Sequence, residues 1–259
     1  MKFDELDTRM RRYETAHDHC VLPGIYMVAR LDGRSFTRLT RELHDFQAPF
    51  DERFRDYMVD TTEHLISVGF RVIYAYTESD EISLLFHRDE EAFGRKLRKY
   101  NSVLAGEASA KFSLLLGDMG TFDSRVSQLP TADAVCEYFR WRNEDAHRNA
   151  LNGHCYWMLR KSGKSAREAT DFLDGASVAQ KNELLFQGGT NFNDVPQWQK
   201  RGVGLFWEDY EKEGFNPKTG QTVATVRRRV RRELELPMRD DYEAFVRNVI
   251  VESERVDEQ

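Results

Sequence analysis

A hairpin with an acidic turn is the feature that most constrains how this chain folds. Residues 70–76 and 82–86 are two short runs of β-branched, aromatic and aliphatic residues, separated by the polar segment Thr77-Glu-Ser-Asp-Glu81. Runs of this length and composition around a short polar segment predict two antiparallel strands. The chain is therefore expected to contain a hairpin whose tip carries carboxylates, among them Asp80.

The segments around the hairpin predict a larger antiparallel sheet. An apolar run at 25–31 predicts a strand, and a helical repeat that begins at Asp51 and ends at Gly69 predicts a helix. A long helix is expected at 90–116 and a further strand at 121–129. The resulting order is the βαββαβ arrangement of ferredoxin-like or palm sheets. The predicted fold class is therefore α+β, with a ferredoxin-like palm core.

In this arrangement the end of the first strand and the start of the third meet at one edge. The first strand ends in Asp32-Gly33, and the third begins just after Asp80. Asp-Gly is by itself a common turn, and a lone Asp80 would suit a solvated turn, but their predicted proximity favours a shared role. Carboxylate and carbonyl oxygens are the ligands that Mg²⁺ prefers. Asp32, the Gly33 carbonyl and Asp80 are therefore predicted to hold two Mg²⁺ ions that activate an attacking oxygen and neutralise a leaving pyrophosphate.

Several charged residues keep both a structural and a functional interpretation. Strand alternation points Glu81 away from Asp80, which makes a structural role equally reasonable. Arg30 lies within a strand and needs a partner, which either a triphosphate or an acidic side chain would supply. The basic cluster at 95–99 is more often a solvated helix face than a phosphate site, and Lys181 suits either a phosphate contact or a surface charge.

The second half of the chain predicts helices followed by a second hairpin. Helical patterns occupy 132–142, 145–160, 165–173 and 176–186, and strands are expected at 202–207 and 222–234 with a turn at 216–220. Arginines lie on both faces of the last strand, and the acidic tail ends in a mixed helix. No repeat or linker divides the chain. Residues 1–259 are therefore expected to form a single unit, with a palm-like catalytic core at 1–130 and a helical and hairpin extension at 131–259.

Composition argues against several classes of protein. The chain has 259 residues, 40% of them hydrophobic, which is enough for a core and argues against disorder. No apolar run approaches the roughly 18 residues of a membrane helix, and the polar start at Met1 is unlike a secretory signal. Three widely spaced cysteines favour free thiols and a cytoplasmic location. A net charge of −6 argues against coating nucleic acid, but allows a local basic surface.

Motifs at several separated places extend beyond the two aspartates. They are Arg30-Leu-Asp-Gly-Arg34 with Phe36, Glu78-Ser-Asp-Glu81 before Ile-Ser-Leu-Leu-Phe86, 109–115, Trp141-Arg142 leading to His147, Lys181-Asn-Glu183-Leu-Leu-Phe186, and Lys200-Arg-Gly202. In this order they resemble the tRNA(His) guanylyltransferase (Thg1) family. The resemblance implies a palm-like core that adds nucleotides to the tRNA 5′ end in the 3′–5′ direction. ATP or GTP would activate a 5′-monophosphorylated end before the 3′-hydroxyl of an incoming nucleotide attacks.

The resemblance also implies roles for individual residues. Asp32 and Asp80 would be the catalytic acids and, with Gly33, the ligands of two Mg²⁺ ions. Nucleotide binding would involve Arg30, Gly33, Arg34, Ser35, Phe36 and Ser79. Contacts to the triphosphate or to tRNA would involve Lys96, Arg98, Lys99, His147, Asn149 and Lys181. ATP and GTP are the implied substrates, tRNA is the implied partner, and the extension is implied to contribute to tRNA binding and to the contacts of a homotetramer.

Two departures from the family pattern narrow the expected activity. The family motif His-x-Asn-Asn-x-Tyr-Asn is here His147-Arg-Asn-Ala-Leu-Asn-Gly153, and a lysine that eukaryotic members carry before a proline is Ala48. Both favour the bacterial and archaeal Thg1-like branch, which implies templated repair of 5′-truncated tRNA. The alternatives are strict guanosine addition to tRNA(His), a palm-type nucleotidyl cyclase, and a non-catalytic RNA-binding module.

Overall fold

The computed structural model describes residues 2–216 and 221–256 of the chain. The strands are β1 (Tyr26–Gly33), β2 (Val72–Glu78), β3 (Glu81–Phe86), β4 (Phe122–Leu129), β5 (Val203–Asn216) and β6 (Gln221–Glu233). The α-helices are α1 (Phe3–Thr15), α2 (Phe36–Arg38), α3 (Glu52–Ile66), α4 (Leu97–Leu116), α5 (Ala132–Lys161), α6 (Ala166–Leu173), α7 (Val178–Gln187), α8 (Gln197–Arg201) and α9 (Arg239–Val256). No helix within these two ranges is both long and apolar enough to cross a membrane.

The strands form one antiparallel sheet in the order β4-β1-β3-β2-β5-β6. The first four strands have the order of a βαββαβ sheet, which confirms the predicted α+β fold class and the hairpin between β2 and β3. The second hairpin joins the sheet through the pairs from Tyr74↔Phe206 to Thr77↔Val203. Strands β5 and β6 then continue as a two-stranded ribbon. Of the turn predicted at 216–220, residues 217–220 lie outside the described residues.

Helices cover both faces of the sheet, which explains why its central strands are nearly continuous apolar runs. On one face α3 and α4 pack over a core that includes Leu31, Ile82 and Phe112. On the other face α5 and α9 pack over a second cluster, in which the hydroxyls of Tyr74 and Tyr242 are 2.8 Å apart. The mixed helix predicted for the tail is therefore α9, and it covers part of the sheet.

The predicted start of α3 at Asp51 is confirmed. The Asp51 carboxylate accepts hydrogen bonds from the backbone N–H groups of Arg53 at 2.8 Å and of Phe54 at 3.4 Å. Such an N-cap stabilises a protein by about 1 kcal/mol. The helix predicted from residue 165 begins with a capping box, because Ser165 and Glu168 exchange side chain to backbone hydrogen bonds.

The long helix predicted at 90–116 begins later than expected. Phe93, Gly94 and Arg95 all have positive φ values, which a right-handed helix cannot contain, so α4 begins at Leu97. Arg95 is 5% exposed and is therefore not part of an exposed basic cluster. Its guanidinium holds this turn in place by donating to four backbone carbonyls, those of Val21, Ile25, Arg88 and Glu90.

The two helices predicted at 132–142 and 145–160 are a single helix, α5. Asn143 lies at the expected break, and asparagine lowers helix propensity only moderately. Its fully buried side chain donates to the Arg201 carbonyl at 3.2 Å. The Asn143 side chain therefore bonds to α8 and does not need solvent, so α5 continues through this position without a break.

Candidate active site

Two aspartates lie at the same edge of the sheet, as the strand order predicts. Asp32 belongs to the end of β1, and Asp80 lies in the short turn between β2 and β3. The Gly33 N–H donates to the Asp80 carbonyl at 3.0 Å, which ties the end of β1 to this turn. Burial, together with the negative charges of Asp32 and Glu81, raises the pKa of the Asp80 carboxyl despite a hydrogen bond from Ser79. A cation would relieve this accumulation of negative charge.

The turn after β1 requires a glycine at position 33. A Cβ atom on Gly33 would lie 2.6 Å from Cγ of Phe36, which is too close for any side chain. Phe36 cannot move away easily because it is 2% exposed and packs against Phe112, with ring centroids 4.9 Å apart. Ser35 and Ser79 have φ values of 62° and 50°, so the turns on both sides of the site are tight. Core packing therefore fixes the backbone around the aspartates.

The sheet face towards α5 carries further charges beside these aspartates. Arg142 donates to Glu81 at 2.6 Å, and Arg30 lies 3.8 Å from the same carboxylate. Glu81 therefore pairs with Arg142 of α5, as its structural interpretation expects. Of the two partners that the sequence allowed for Arg30, a triphosphate or an acidic side chain, the structure shows the acidic side chain. Glu78 lies opposite Glu81, and enclosure by protein together with the Glu81 charge raises the pKa of Glu78 to about 8. Glu78 therefore holds its proton more readily than an exposed glutamate does.

An arginine side chain of strand β4 forms an ion pair with Asp32. The Nη2 atom of Arg125 lies 3.2 Å from Oδ2 of Asp32. Arg125 is opposite Arg30 in the pairing of β4 with β1, which places it diagonally across from Asp32. Close to this pair, the Arg34 N–H donates to the Thr121 carbonyl at 2.8 Å. Sequence reasoning missed Arg125 because only the register of β4 against β1 shows which residue reaches the aspartate.

A divalent cation fits the oxygen atoms at this edge. Asp32, Asp80 and the Gly33 carbonyl supply the hard oxygen donors that suit Mg²⁺. Among the described residues, no group of three His, Cys, Asp or Glu side chains converges as a metal cage. Mg²⁺ is commonly held by one or two carboxylates together with water and substrate phosphates. These oxygen atoms therefore suit a Mg²⁺ ion that also binds a substrate phosphate.

A cavity opens beside Asp80 and extends between the core and α5. One end is polar and acidic, with Glu78, Ser79 and Asp80 in its wall. The other end is aromatic and is formed by Phe46, Phe50, Trp157 and Trp198; an adjoining chamber shares Phe46 and Trp157 but none of residues 78–80. Flat apolar walls at one end and carboxylates at the other suit a nucleotide, whose base would stack while its phosphates lie near a metal.

Sequence reasoning missed the aromatic end because three distant segments form it. Phe50 lies in the loop before α3, Trp157 lies near the end of α5, and Trp198 lies in α8. The Phe50 ring contacts His154 and Trp198, with centroid distances of 5.5 Å and 6.0 Å. None of these residues forms a local motif, and their one sequence signal is a pair of aromatic residues, Phe46 and Phe50, before a helix start.

The predicted basic residues of α4 lie at the other end of β1 from Asp32. Lys96 and Arg98 both form ion pairs with Asp18, in the segment that precedes β1. Lys99 lies over a neighbouring ring, with its Nζ 5.6 Å from the centroid of Phe93. The eight residues of β1 span about 25 Å at roughly 3.3 Å per residue. One copy of the chain therefore does not bring these basic side chains to the aspartates.

The other residues expected to contact tRNA lie on α5 and α7. The His147 ring packs against Phe192 with a centroid distance of 5.4 Å. Its pKa is lowered mainly by burial and to a smaller extent by the positive charges of α8. Asn149 donates to Asp145 at 3.3 Å, and Lys181 lies in α7. Their role in tRNA binding stays a prediction.

The antiparallel βαββαβ sheet, extended by helices and a hairpin, places the chain in the palm-like α+β class. The family model described as tRNAHis guanylyltransferase (Thg1) matches residues 7–137, and that of the Thg1 C-terminal domain matches residues 133–243. The chain therefore belongs to the Thg1 family.

Relatives of known name and structure agree with this assignment. The tRNA(His) guanylyltransferase of Debaryomyces hansenii is 31% identical over 232 residues, covering 84% of this chain and 87% of the relative. The tRNA(His) guanylyltransferase 1 of Arabidopsis thaliana is 32% identical over 224 residues, covering 82% of this chain, but the match spans only 39% of that longer protein. A bacterial Thg1-like protein solved in complex with GTP has a TM-score of 0.71 and 27% identity, with 95% of this chain and 99% of that chain covered. A bacterial Thg1-like protein in complex with ATP has a TM-score of 0.72.

Proposed function

We propose that this chain is a 3′–5′ nucleotidyltransferase that uses ATP or GTP to activate tRNA 5′ ends and then adds nucleotides to them. Membership of the Thg1 family supports the reaction class. The observation that carries the proposal is the pairing of Asp32 and Asp80 at one sheet edge beside a cavity with an acidic and an aromatic end. The triphosphate of a nucleotide, with its metal, would fit the acidic end, and the purine base would fit the aromatic end.

Asp32, Asp80 and the Gly33 carbonyl are the residues that would hold two Mg²⁺ ions. When bound, Mg²⁺ supplies activation of the attacking oxygen and neutralisation of phosphate charge. The backbone of residues 33–36 and the Ser79 hydroxyl lie next to these oxygens and bind the phosphates of the nucleotide. The aromatic end of the cavity binds and orients the base. Arg30 is 16% exposed and orients Glu81, with which it pairs at this edge.

The tRNA is proposed to approach through basic and polar side chains outside the cavity. The residues that would contact it or its triphosphate are Lys96, Arg98, Lys99, His147, Asn149 and Lys181. Because Lys96, Arg98 and Lys99 lie at the far end of β1 from Asp32, they would serve the aspartates of another copy in a homotetramer. The family resemblance supports that assembly.

Templated repair of 5′-truncated tRNA is the reaction that we propose the chain prefers. The two departures from the family pattern support it, and one lies in the cavity wall while the other lies beside a wall residue, Pro49. Gly153 stands where the family carries asparagine, and a Cβ on Gly153 would lie 3.8 Å from Cβ of Pro49. Ala48 lines the cavity directly. Selection of the added nucleotide would then depend on pairing with the opposite tRNA strand.

A substrate comparison tests this function. The protein is incubated with ATP, GTP and Mg²⁺ and with either a 5′-monophosphorylated tRNA that lacks its first nucleotide or a tRNA(His) that lacks only its extra guanosine. Faster addition of the templated nucleotide to the truncated tRNA is expected. Faster guanosine addition to tRNA(His), without regard to the template, would contradict the repair preference. Extension of neither tRNA, or cyclisation of a nucleotide without RNA, would contradict the function itself.

A further inference from the structure

One guanidinium at the aromatic end of the cavity has no acidic partner in the described part of the chain. Arg41 lies in the turn Leu39–Leu43, and its guanidinium carbon is 5.1 Å from the centroid of the Trp157 ring. Arg41 also lines an outer chamber that continues the cavity beside Phe46 and away from Asp80. Its N–H groups are therefore available to a ligand at the end where a base would bind.

Of the other charged side chains that line the main cavity, Asp51 and Arg55 are already engaged, and Asp45 lines only the outer chamber. The Asp51 carboxylate accepts from the Gln47 N–H at 2.8 Å on one oxygen and from the Arg53 N–H at 2.8 Å on the other. Arg55 donates to Asp56 at 2.9 Å and covers the Trp198 ring. Glu78 and Asp80 belong to the opposite end of the cavity. Neither Asp51 nor Arg55 is free to distinguish one base from another.

We propose that Arg41 is a specificity-determining residue that reads the O6 and N7 atoms of a guanine base, so that the cavity prefers GTP to ATP. This inference rests on the proposed function, because it assumes that the cavity holds the base of the activating nucleotide. The guanidinium fork matches the two adjacent acceptors of guanine. Adenine presents an amino group in place of O6, so it would place a donor against a donor. The Trp157 ring restrains the guanidinium before the nucleotide arrives.

Equilibrium binding of nucleotides without tRNA tests the proposal, because no transfer can then occur. GTP, ATP, inosine triphosphate and 7-deaza-GTP are titrated against the wild-type chain, Arg41→Ala and Arg41→Lys. The wild type is expected to bind GTP and inosine triphosphate about tenfold more tightly than ATP, and 7-deaza-GTP more weakly than GTP. Arg41→Ala should bind GTP about as weakly as the wild type binds ATP. Arg41→Lys should also lose most of the preference, because lysine has a charge but no fork.

Arg38→Ala is the matched control, since Arg38 belongs to the preceding helical turn, pairs with Glu42 at 3.5 Å and does not line the cavity. It should leave all four affinities unchanged, and both alanine variants should unfold at the temperature of the wild type. An equal loss of GTP and ATP affinity in Arg41→Ala would indicate a phosphate contact and overturn the proposal. An unchanged GTP affinity in this variant would also overturn it. A wild type that binds neither nucleotide would overturn the proposed function together with this inference.

Discussion

At Gly33 the backbone passes so close to the Phe36 ring that no side chain fits between them. Because Phe36 belongs to the core, its packing also determines where Asp32 and the Gly33 carbonyl lie. A residue in the middle of the proposed site is thus positioned by a buried aromatic ring. Stability and catalysis should therefore respond together to a change at this position.

Gly33→Ala should lower the free energy of unfolding by about 1–3 kcal/mol, as expected for overpacking, and should also abolish tRNA extension by displacing Asp32. Urea denaturation and an extension assay measure the two effects. Gly106→Ala is the control, because Gly106 lies in α4 and a methyl group added there would meet nothing within 4 Å. That change should stabilise the helix by about 0.5–1 kcal/mol. A Gly33→Ala chain as stable and active as the wild type would contradict the close packing.

Asp51 should make the stability of the chain depend on pH in the acidic range. Burial alone would raise its pKa, but hydrogen bonds from Arg53, Gln47 and Phe54 outweigh burial and lower the pKa to about 2. Because the folded pKa lies below the unfolded value of about 3.9, the stabilisation is complete above pH 5 and disappears as the pH falls towards 2. It amounts to about 2 kcal/mol.

Chemical denaturation of Asp51→Asn and the wild type between pH 7 and pH 3 measures this contribution. The difference in the free energy of unfolding should be constant from pH 7 to pH 5 and should be about half lost at pH 3. A difference that does not change over this range would show that the Asp51 charge has no part in capping α3.

Among the secondary-structure elements, β4 is expected to influence metal binding through Arg125. Its guanidinium pairs with Asp32 and so competes with a cation for the same carboxylate. Arg125→Gln should therefore bind Mn²⁺ several-fold more tightly than the wild type in calorimetric titrations. Arg247→Gln is the control, because Arg247 forms a similarly exposed ion pair with Asp133. Equal Mn²⁺ affinity in the wild type and Arg125→Gln would contradict this competition.

The elements themselves are predictable mainly where local chemistry is sufficient. The hairpin strands β2 and β3 follow from two apolar runs that flank a polar turn, and α3 follows from a helical repeat that Asp51 caps. The predicted start of α4 is wrong. Buried hydrogen bonds from Arg95 to backbone carbonyls distant in sequence stabilise the left-handed turn before it, and no local pattern indicates them.

At the scale of the whole molecule, the sequence predicts the meeting of Asp32 and Asp80 but not the cavity beside them. The meeting follows from strand order, which the pattern of four strands and two helices already indicates. The aromatic end requires that Trp157 and Trp198 pack against the loop that precedes α3. Contacts between helices at large sequence separation depend on the packing of the complete fold, so no single motif reveals them.

The separation of the basic cluster from the aspartates predicts complementation between copies of the chain. A chain with Lys96, Arg98 and Lys99 all changed to alanine keeps its aspartates, and an Asp80→Asn chain keeps its basic cluster. Each alone should be inactive, whereas co-expression should restore extension if the cluster serves the aspartates of another copy. Mixing the two proteins after separate purification, without subunit exchange, is the control. Persistent inactivity of the co-expressed chains would contradict a shared site.

The central claim is that Asp32 and Asp80 act together in nucleotidyl transfer, and its most direct test is extension of a 5′-truncated tRNA by chains that lack one carboxylate. Asp32→Asn and Asp80→Asn should each reduce the extension rate by at least about a hundredfold, since each removes a charged ligand from the phosphoryl-transfer site. Asp123→Asn should keep nearly the wild-type rate, because the Asp123 side chain, opposite Asp32 on β4, is 69% exposed and belongs to neither the cavity wall nor the proposed ligand set. Undiminished extension by either Asp32→Asn or Asp80→Asn would contradict the claim.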